Sequence, residues 1–156
     1  MHRLGARRQG GAAVSAATIE ATALVPGDGA GAPLTLVEPL SFWGGLDPAS
    51  GVIIDRRHPQ RHASVAGRTL MMPAGRGSSS GSAALAEAIR CGAGPAAILL
   101  LERDPIVAVG ALVAAELYGA ACPVALVEPK DWDRLAAAAG LAVTADDGRA
   151  TIRLEG

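Results

Sequence analysis

The rhythm of hydrophobic and polar positions changes about halfway along the chain. In the first half the apolar stretches are short and loosely alternating, as half-buried strands are. Residues 17–25 (ATIEATALV), 34–37 (LTLV), 51–55 (GVIID) and 67–72 (GRTLMM) each predict a strand. Between them, residues 26–31 (PGDGAG) read as a loop by composition, and so does the Gly/Pro-punctuated stretch 43–48 (WGGLDP). In the second half the spacing lengthens. Residues 82–90 combine good helix formers with Leu85, Ala88 and Ile89 on one side. Residues 96–101 (AAILLL) are continuously apolar, as in a strand buried on both faces. Asp104 and Pro105 then open a helix, as cap and first-turn proline, in which Ile106, Val109, Leu112, Val113 and Leu117 keep helical spacing. Gly119 ends it. A second buried strand (123–128, PVALVE) follows, then a helix over 131–139 stopped by Gly140, with Trp132 on its apolar side. A terminal hairpin, 141–145 with 150–154, turns at Asp147-Gly148.

Strand–helix–strand–helix in the second half implies parallel pairing, and the first half implies a small barrel or sandwich. The expected fold is therefore α/β in β/β/α layers: a small barrel-like β unit joined to a mainly parallel sheet covered by helices. Residues 1–14, rich in Gly, Ala and Arg without periodicity, read as a disordered tail. Residues 15–156 read as a single domain.

Composition narrows the functions available. With aromatics at 3%, Ala, Val, Leu and Ile must build the core, which favours close packing of helices on a sheet. A formal net charge of −1 argues against nucleic acid or acidic lipid as the main partner. No apolar run approaches the ~18–20 residues that a membrane span needs. The opening stretch lacks a signal peptide's apolar core, so the expected compartment is the cytoplasm. The cysteines, Cys91 and Cys122, stand far apart and are expected as small buried apolar residues. The histidines are His2, His58 and His62, too few and too scattered for a metal site made by this chain alone.

The stretch that carries chemistry is 73–82 (PAGRGSSSGS), between a strand and a helix. Gly75, Gly77 and Gly81 let the backbone turn tightly and approach a ligand. The amides of Ser78 to Ser82 lie near a helix start, where unpaired N–H groups and the dipole favour an anion. Arg76 offers a planar fork for a carboxylate or phosphate. Three readings compete: a flexible loop in which Ser80 or Ser82 only caps the helix, a nucleotide phosphate loop, and a substrate-anion site with a catalytic serine. The second lacks the lysine and the spacing of a P-loop.

GRGSSSGSAAL resembles the Gly-Arg-Gly-Ser-Ser signature in the swivelling domain of aconitase-type hydro-lyases. The order Trp43-Gly44-Gly45-Leu46-Asp47, Asp55-Arg56-Arg57-His58-Pro59 and PAGRGSSSGS resembles more closely the small subunit of the aconitase X family, over residues 37–128. That resemblance implies a swivelling β/β/α domain and a dehydratase of a hydroxy acid, with cis-3-hydroxy-L-proline the leading substrate and mevalonate 5-phosphate the alternative. It implies that this chain binds no cofactor itself, and that a larger partner subunit carries an iron or iron–sulfur centre acting as Lewis acid on the leaving hydroxyl. By the same resemblance Ser78 is the general base, with Ser79 or Ser80 as substitutes in register. Arg76, Gly77, Ser79, Ser80, Gly81 and Ser82 then bind the small anionic substrate. Asp47 and Trp43 are candidates for the site or the subunit contact. A core role for Trp43 fits equally well. His58 is either an anion contact or part of a solvated Arg-Arg-His-Pro turn.

Magnitudes explain why a partner is needed. A charged hydrogen bond contributes ~1.5–3 kcal/mol net and a helix terminus ~0.3–1, together near ~4 kcal/mol, or roughly millimolar affinity. Such a half-site does not turn over. The competing class is a non-catalytic swivel module like the phosphohistidine domains, against which the absence of a histidine at the loop tip counts.

Overall fold

The structure is a computed structural model that describes residues 16–156. The predicted tail, 1–14, lies outside the described residues. An eight-stranded sheet runs in the order β2-β7-β8-β1-β6-β5-β4-β3. Its strands are β1 (Thr18–Val25), β2 (Gly27–Gly31), β3 (Pro33–Thr35), β4 (Thr69–Met72), β5 (Ala97–Leu100), β6 (Val124–Leu126), β7 (Gly140–Asp146) and β8 (Arg149–Glu155). The run β3-β4-β5-β6 is parallel, and β1, β8, β7 and β2 continue it antiparallel. The α/β class is as expected, but the sheet is mixed rather than mainly parallel: one continuous sheet joins three parallel pairings to four antiparallel ones and curls toward a barrel.

Helices follow the parallel strands. α1 is a single turn, Phe42–Gly45, broken from helical geometry at Trp43 and Gly44. α2 (Ser80–Arg90) crosses from β4 to β5, α3 (Pro105–Tyr118) from β5 to β6, and α4 (Trp132–Ala136) precedes the terminal hairpin. Two apolar clusters divide the core. One, with Leu70, Met72, Leu85, Ile98, Leu100 and Ala111, lies where α2 and α3 pack on the sheet. The other, with Met71, Leu99, Leu135, Leu141, Val143 and Ile152, fills the opposite face under the curled strands. Alternation along β4 and β5 sends successive side chains to these two clusters, so both strands are buried at every position.

Several expectations need correction. Residues 26–31 are not a loop: β2 pairs with β7 from Gly27 to Gly31. The glycines are there because β2 runs against other backbone. A Cβ on Gly29 would meet the Ala96 carbonyl oxygen at 1.9 Å, and one on Gly31 the Gly67 oxygen at 2.2 Å. Residues 51–55 form no strand and make only isolated bridges, Leu46 with Ile53 and Val52 with Ser64. α4 is shorter than 131–139, and Gly140 begins β7 rather than ending the helix.

α3 buries Val107, Gly110, Ala111 and Ala114, while Val109, Leu112 and Leu117 of the larger apolar set are exposed. Small residues face inward because α2 lies so close: a Cβ on Gly110 would stand 2.8 Å from the Ser82 carbonyl oxygen. Its caps are as expected. Asp104 Oδ1 accepts from the amides of Ile106 and Val107, and Gly119 ends the helix at φ 62°. Cys122 is buried, but Cys91 is exposed past the end of α2.

Candidate functional site

The segment from Pro73 to Ser82 leaves β4 and enters α2, and its two ends are tied down. The Pro73 carbonyl accepts from Leu101 and Glu102, both at 3.0 Å. The Gly75 amide donates to Asp104 Oδ2 at 2.7 Å, and the Arg76 amide to the Leu40 carbonyl at 3.2 Å. On the far side Gly81 and Ser82 donate to the carbonyls of Ser78 and Ser79, starting the helix. The Ser82 hydroxyl donates to the Ile106 carbonyl at 2.7 Å, stapling α2 to α3.

What remains between the anchors is open. Arg76, Gly77, Ser78, Ser79 and Ser80 are exposed. Among the described residues, the amides of Gly77, Ser78, Ser79 and Ser80 and the three hydroxyls find no acceptor. Ser79 sits at the cap position of α2 in helical conformation and makes no side-chain cap bond. The capping reading of these serines therefore finds no support here. The first turn of α2 presents free donors outward, as anion sites at helix starts do.

Gly77 makes the turn possible. Its φ of 113° is a conformation other residues rarely adopt, and a Cβ there would meet the Ser41 hydroxyl at 2.5 Å. Ser41 in turn donates to the Trp43 carbonyl. Behind the loop a cavity of about 70 Å³ is lined by Leu40, Phe42, Gly81 and Asp104. The Arg76 guanidinium reaches toward Asp55, with Nη2 3.6 Å from Oδ2.

The remaining candidates lie apart from this turn. Asp47 closes its own loop, accepting from the Ser50 hydroxyl at 2.6 Å and the Ala49 amide at 3.2 Å. The Ser50 bond first, then the Ala49 amide, hold its carboxyl below the usual range. His58 is buried, and both expectations for it are corrected. Its Nε2 faces the Glu38 carbonyl at 3.2 Å and its Nδ1 accepts from the Gln60 amide at 3.0 Å, so the ring pins the 58–60 turn to residue 38. Arg56, Arg57 and Pro59 around it are exposed. Trp43 is 64% exposed and so is not core. It borders an open apolar recess with Pro48, Ala83 and Ala84 beside the start of α2.

Sequence reasoning missed Asp55 and the second role of Asp104. Both had a signal, an acidic residue opening a turn, but only the fold brings them to the loop. Among the described residues no group of three His, Cys, Asp or Glu side chains could hold a metal ion. No helix of the described residues is long and apolar enough to cross a membrane.

A curled, mixed sheet with an open serine–glycine turn at the head of a helix defines a swivel-type α/β domain. Comparison with known proteins makes the family plain: the chain belongs to the Aconitase X swivel domain family, which it matches over residues 18–153. It is 49% identical over 114 residues to a cis-3-hydroxy-L-proline dehydratase of Pseudomonas aeruginosa, covering 73% of this chain and 20% of the relative. It is 34% identical over 125 residues to a phosphomevalonate dehydratase small subunit of Thermococcus onnurineus, covering 80% of this chain and 90% of that one. The crystal structure of Thermococcus kodakaraensis aconitase X (holo-form) superimposes with a TM-score of 0.70 at 29% identity, over 87% of this chain and 98% of the other. The chain thus spans about a fifth of the length of the hydroxyproline dehydratase relatives.

Proposed function

We propose that this chain is the small subunit of an aconitase X-type hydro-lyase, and that its Gly77–Ser80 turn supplies the base and the anion site for dehydrating cis-3-hydroxy-L-proline. The observation that carries the reading is the exposed turn itself: amides and serine hydroxyls without a partner among the described residues, and one guanidinium beside them. Removal of water needs a base for a carbon-bound proton and a place for the substrate's negative charge. Arg76 holds the carboxylate, with the amides of Gly77 to Ser80 and the start of α2 adding donors. Ser78, first after the Gly77 turn, takes the proton as its oxyanion and becomes the neutral hydroxyl; passing that proton on to the departing hydroxide restores the oxyanion. The C–H electron pair becomes the new double bond and the neighbouring C–O bond breaks, so that one water leaves in sum.

A serine hydroxyl is a weak base in water. It becomes competent where fixed donors stabilise its oxyanion and water is excluded. The turn is open on this chain, so a larger partner must cover it. The iron or iron–sulfur centre belongs to that partner, and the enzyme works in the compartment where the two chains meet, the cytoplasm. Ser82 has its hydroxyl committed to Ile106 and contributes through the helix start rather than through its side chain.

Charge favours the amino acid over the phosphorylated substrate. Arg76, the cation within the turn, is already faced by Asp55, and Asp104 accepts from the Gly75 amide behind it. That balance suits one carboxylate better than a carboxylate plus a phosphate dianion. The 49% identity to the hydroxyproline enzyme points the same way. The test is to mix the purified chain with its larger partner and offer cis-3-hydroxy-L-proline and mevalonate 5-phosphate in turn. Dehydration of the first, only in the mixture, supports the reading. Turnover of the second alone reassigns the substrate, and no turnover with either leaves a non-catalytic module.

A further inference from the structure

We infer that Asp55 is a positioning residue that sets the Arg76 fork for the substrate carboxylate. The inference rests on the reading of Arg76 given above. Asp55 is held from its own backbone outward. The amides of Ile54 and Asp55 both donate to the Gly45 carbonyl, at 2.9 and 3.3 Å. Its Oδ1 accepts from the Arg57 amide at 2.9 Å. The carboxylate is therefore fixed, with Oδ2 left over, and that oxygen faces Arg76 Nη2 at 3.6 Å. The buried His58 ring, three residues on, locks the same turn to the segment before Ser41.

Arg76 needs such a guide. Its side chain is 52% exposed, against 24% for Asp55, and its stem leaves a backbone pinned only at the amide. A guanidinium has five N–H donors. Engaging Nη2 from the Asp55 side leaves the other edge to take a carboxylate in the two-bond manner. In the open chain water screens the pair and it does little. Once a partner covers the turn, the same separation carries more energy because the surroundings are less polar. Asp55 thus acts through Arg76 and touches no reacting atom.

The experiment uses the assembled complex of this chain with its larger partner. Wild type is compared with Asp55→Asn, Asp55→Glu, Arg76→Ala and the Asp55→Asn/Arg76→Ala double variant. Two quantities are read: KM and kcat for cis-3-hydroxy-L-proline, and the calorimetric Kd for L-proline, which keeps the carboxylate but has no hydroxyl to lose. Asparagine preserves the Oδ1 acceptor for Arg57, so the turn is kept. Asp55→Asn is expected to raise KM and Kd about tenfold while lowering kcat much less. Asp55→Glu recovers part of the loss. In the Arg76→Ala background Asp55→Asn adds less than about twofold, the coupling expected when two residues act as one. If Arg76→Ala raises KM and Kd but Asp55→Asn leaves both unchanged, the positioning role is overturned and the reading of Arg76 stands. An Asp55→Asn loss of equal size in both backgrounds also overturns it, showing an effect on folding. If Arg76→Ala changes neither quantity, the carboxylate reading itself fails.

Discussion

Asp104 and Gly75 are joined across 2.7 Å, a carboxylate oxygen to a backbone amide, although 29 residues separate them in sequence. The other oxygen of the same carboxylate caps α3. One side chain therefore ties the start of a helix to the loop that carries the candidate site. Asp104→Ala should destabilise the isolated chain by about 1–2 kcal/mol in urea unfolding, the range for a lost cap. Asp104→Asn keeps an oxygen for the cap and should cost less than half of that. Equal losses would show that the cap is not where the stability comes from.

The glycines of β2 make a sharper structural prediction. Gly29→Ala places a methyl against the Ala96 carbonyl, and overpacking of that kind costs about 3 kcal/mol. Gly148→Ala is the control, since a Cβ there meets nothing within 4 Å and only the positive φ of 76° is unfavourable. It should cost about 1 kcal/mol. Denaturant midpoints of the two variants decide the matter, and a reversed order would place β2 away from Ala96.

The cysteines divide by environment. Burial pushes the Cys122 thiol up to about 12, and that side chain is inaccessible. Cys91 is exposed, with its sulfur 3.8 Å from the Arg90 guanidinium. Iodoacetamide at pH 8 should therefore modify Cys91 alone in the native chain, and both residues in urea, as read by mass spectrometry. The sign for stability follows from the raised value. The neutral thiol is favoured in the folded state, so this contribution is complete below pH 9 and is lost as pH rises toward 12. A Cys122→Ala variant should lack that part of the alkaline decline.

Much of this fold can be read from the chain, for identifiable reasons. The runs at 96–101 and 123–127 are apolar throughout because β5 and β6 are covered on both faces. The terminal hairpin was legible from Asp147-Gly148, both at positive φ. The α3 caps were equally plain. What misled is the part that only packing decides. PGDGAG is loop-like by composition, yet its glycines exist to let a strand lie on other backbone. In α3 the large apolar residues looked like the core stripe, while the close approach of α2 selects the small ones.

The site divides in the same way. Gly77, Arg76 and the serines announce themselves as a cluster within a few positions. Asp55, Asp104 and Ser41 reach the loop from 21, 29 and 36 positions away from Arg76, Gly75 and Gly77, and no local pattern can join them. His58 shows the converse. Its neighbours in sequence are charged and exposed, which suggests a solvated turn, yet the ring is buried between a carbonyl and an amide.

Single-turnover and steady-state rates of the assembled complex carrying Ser78→Ala test the central claim most directly. Loss of a general base at this position should lower kcat by about a hundredfold to ten-thousandfold. KM should stay within about threefold, because Arg76 and the backbone amides still hold the carboxylate. Ser79→Ala and Ser80→Ala, prepared alongside, should lose much less. Turnover by the Ser78→Ala complex at the wild-type rate would contradict the account.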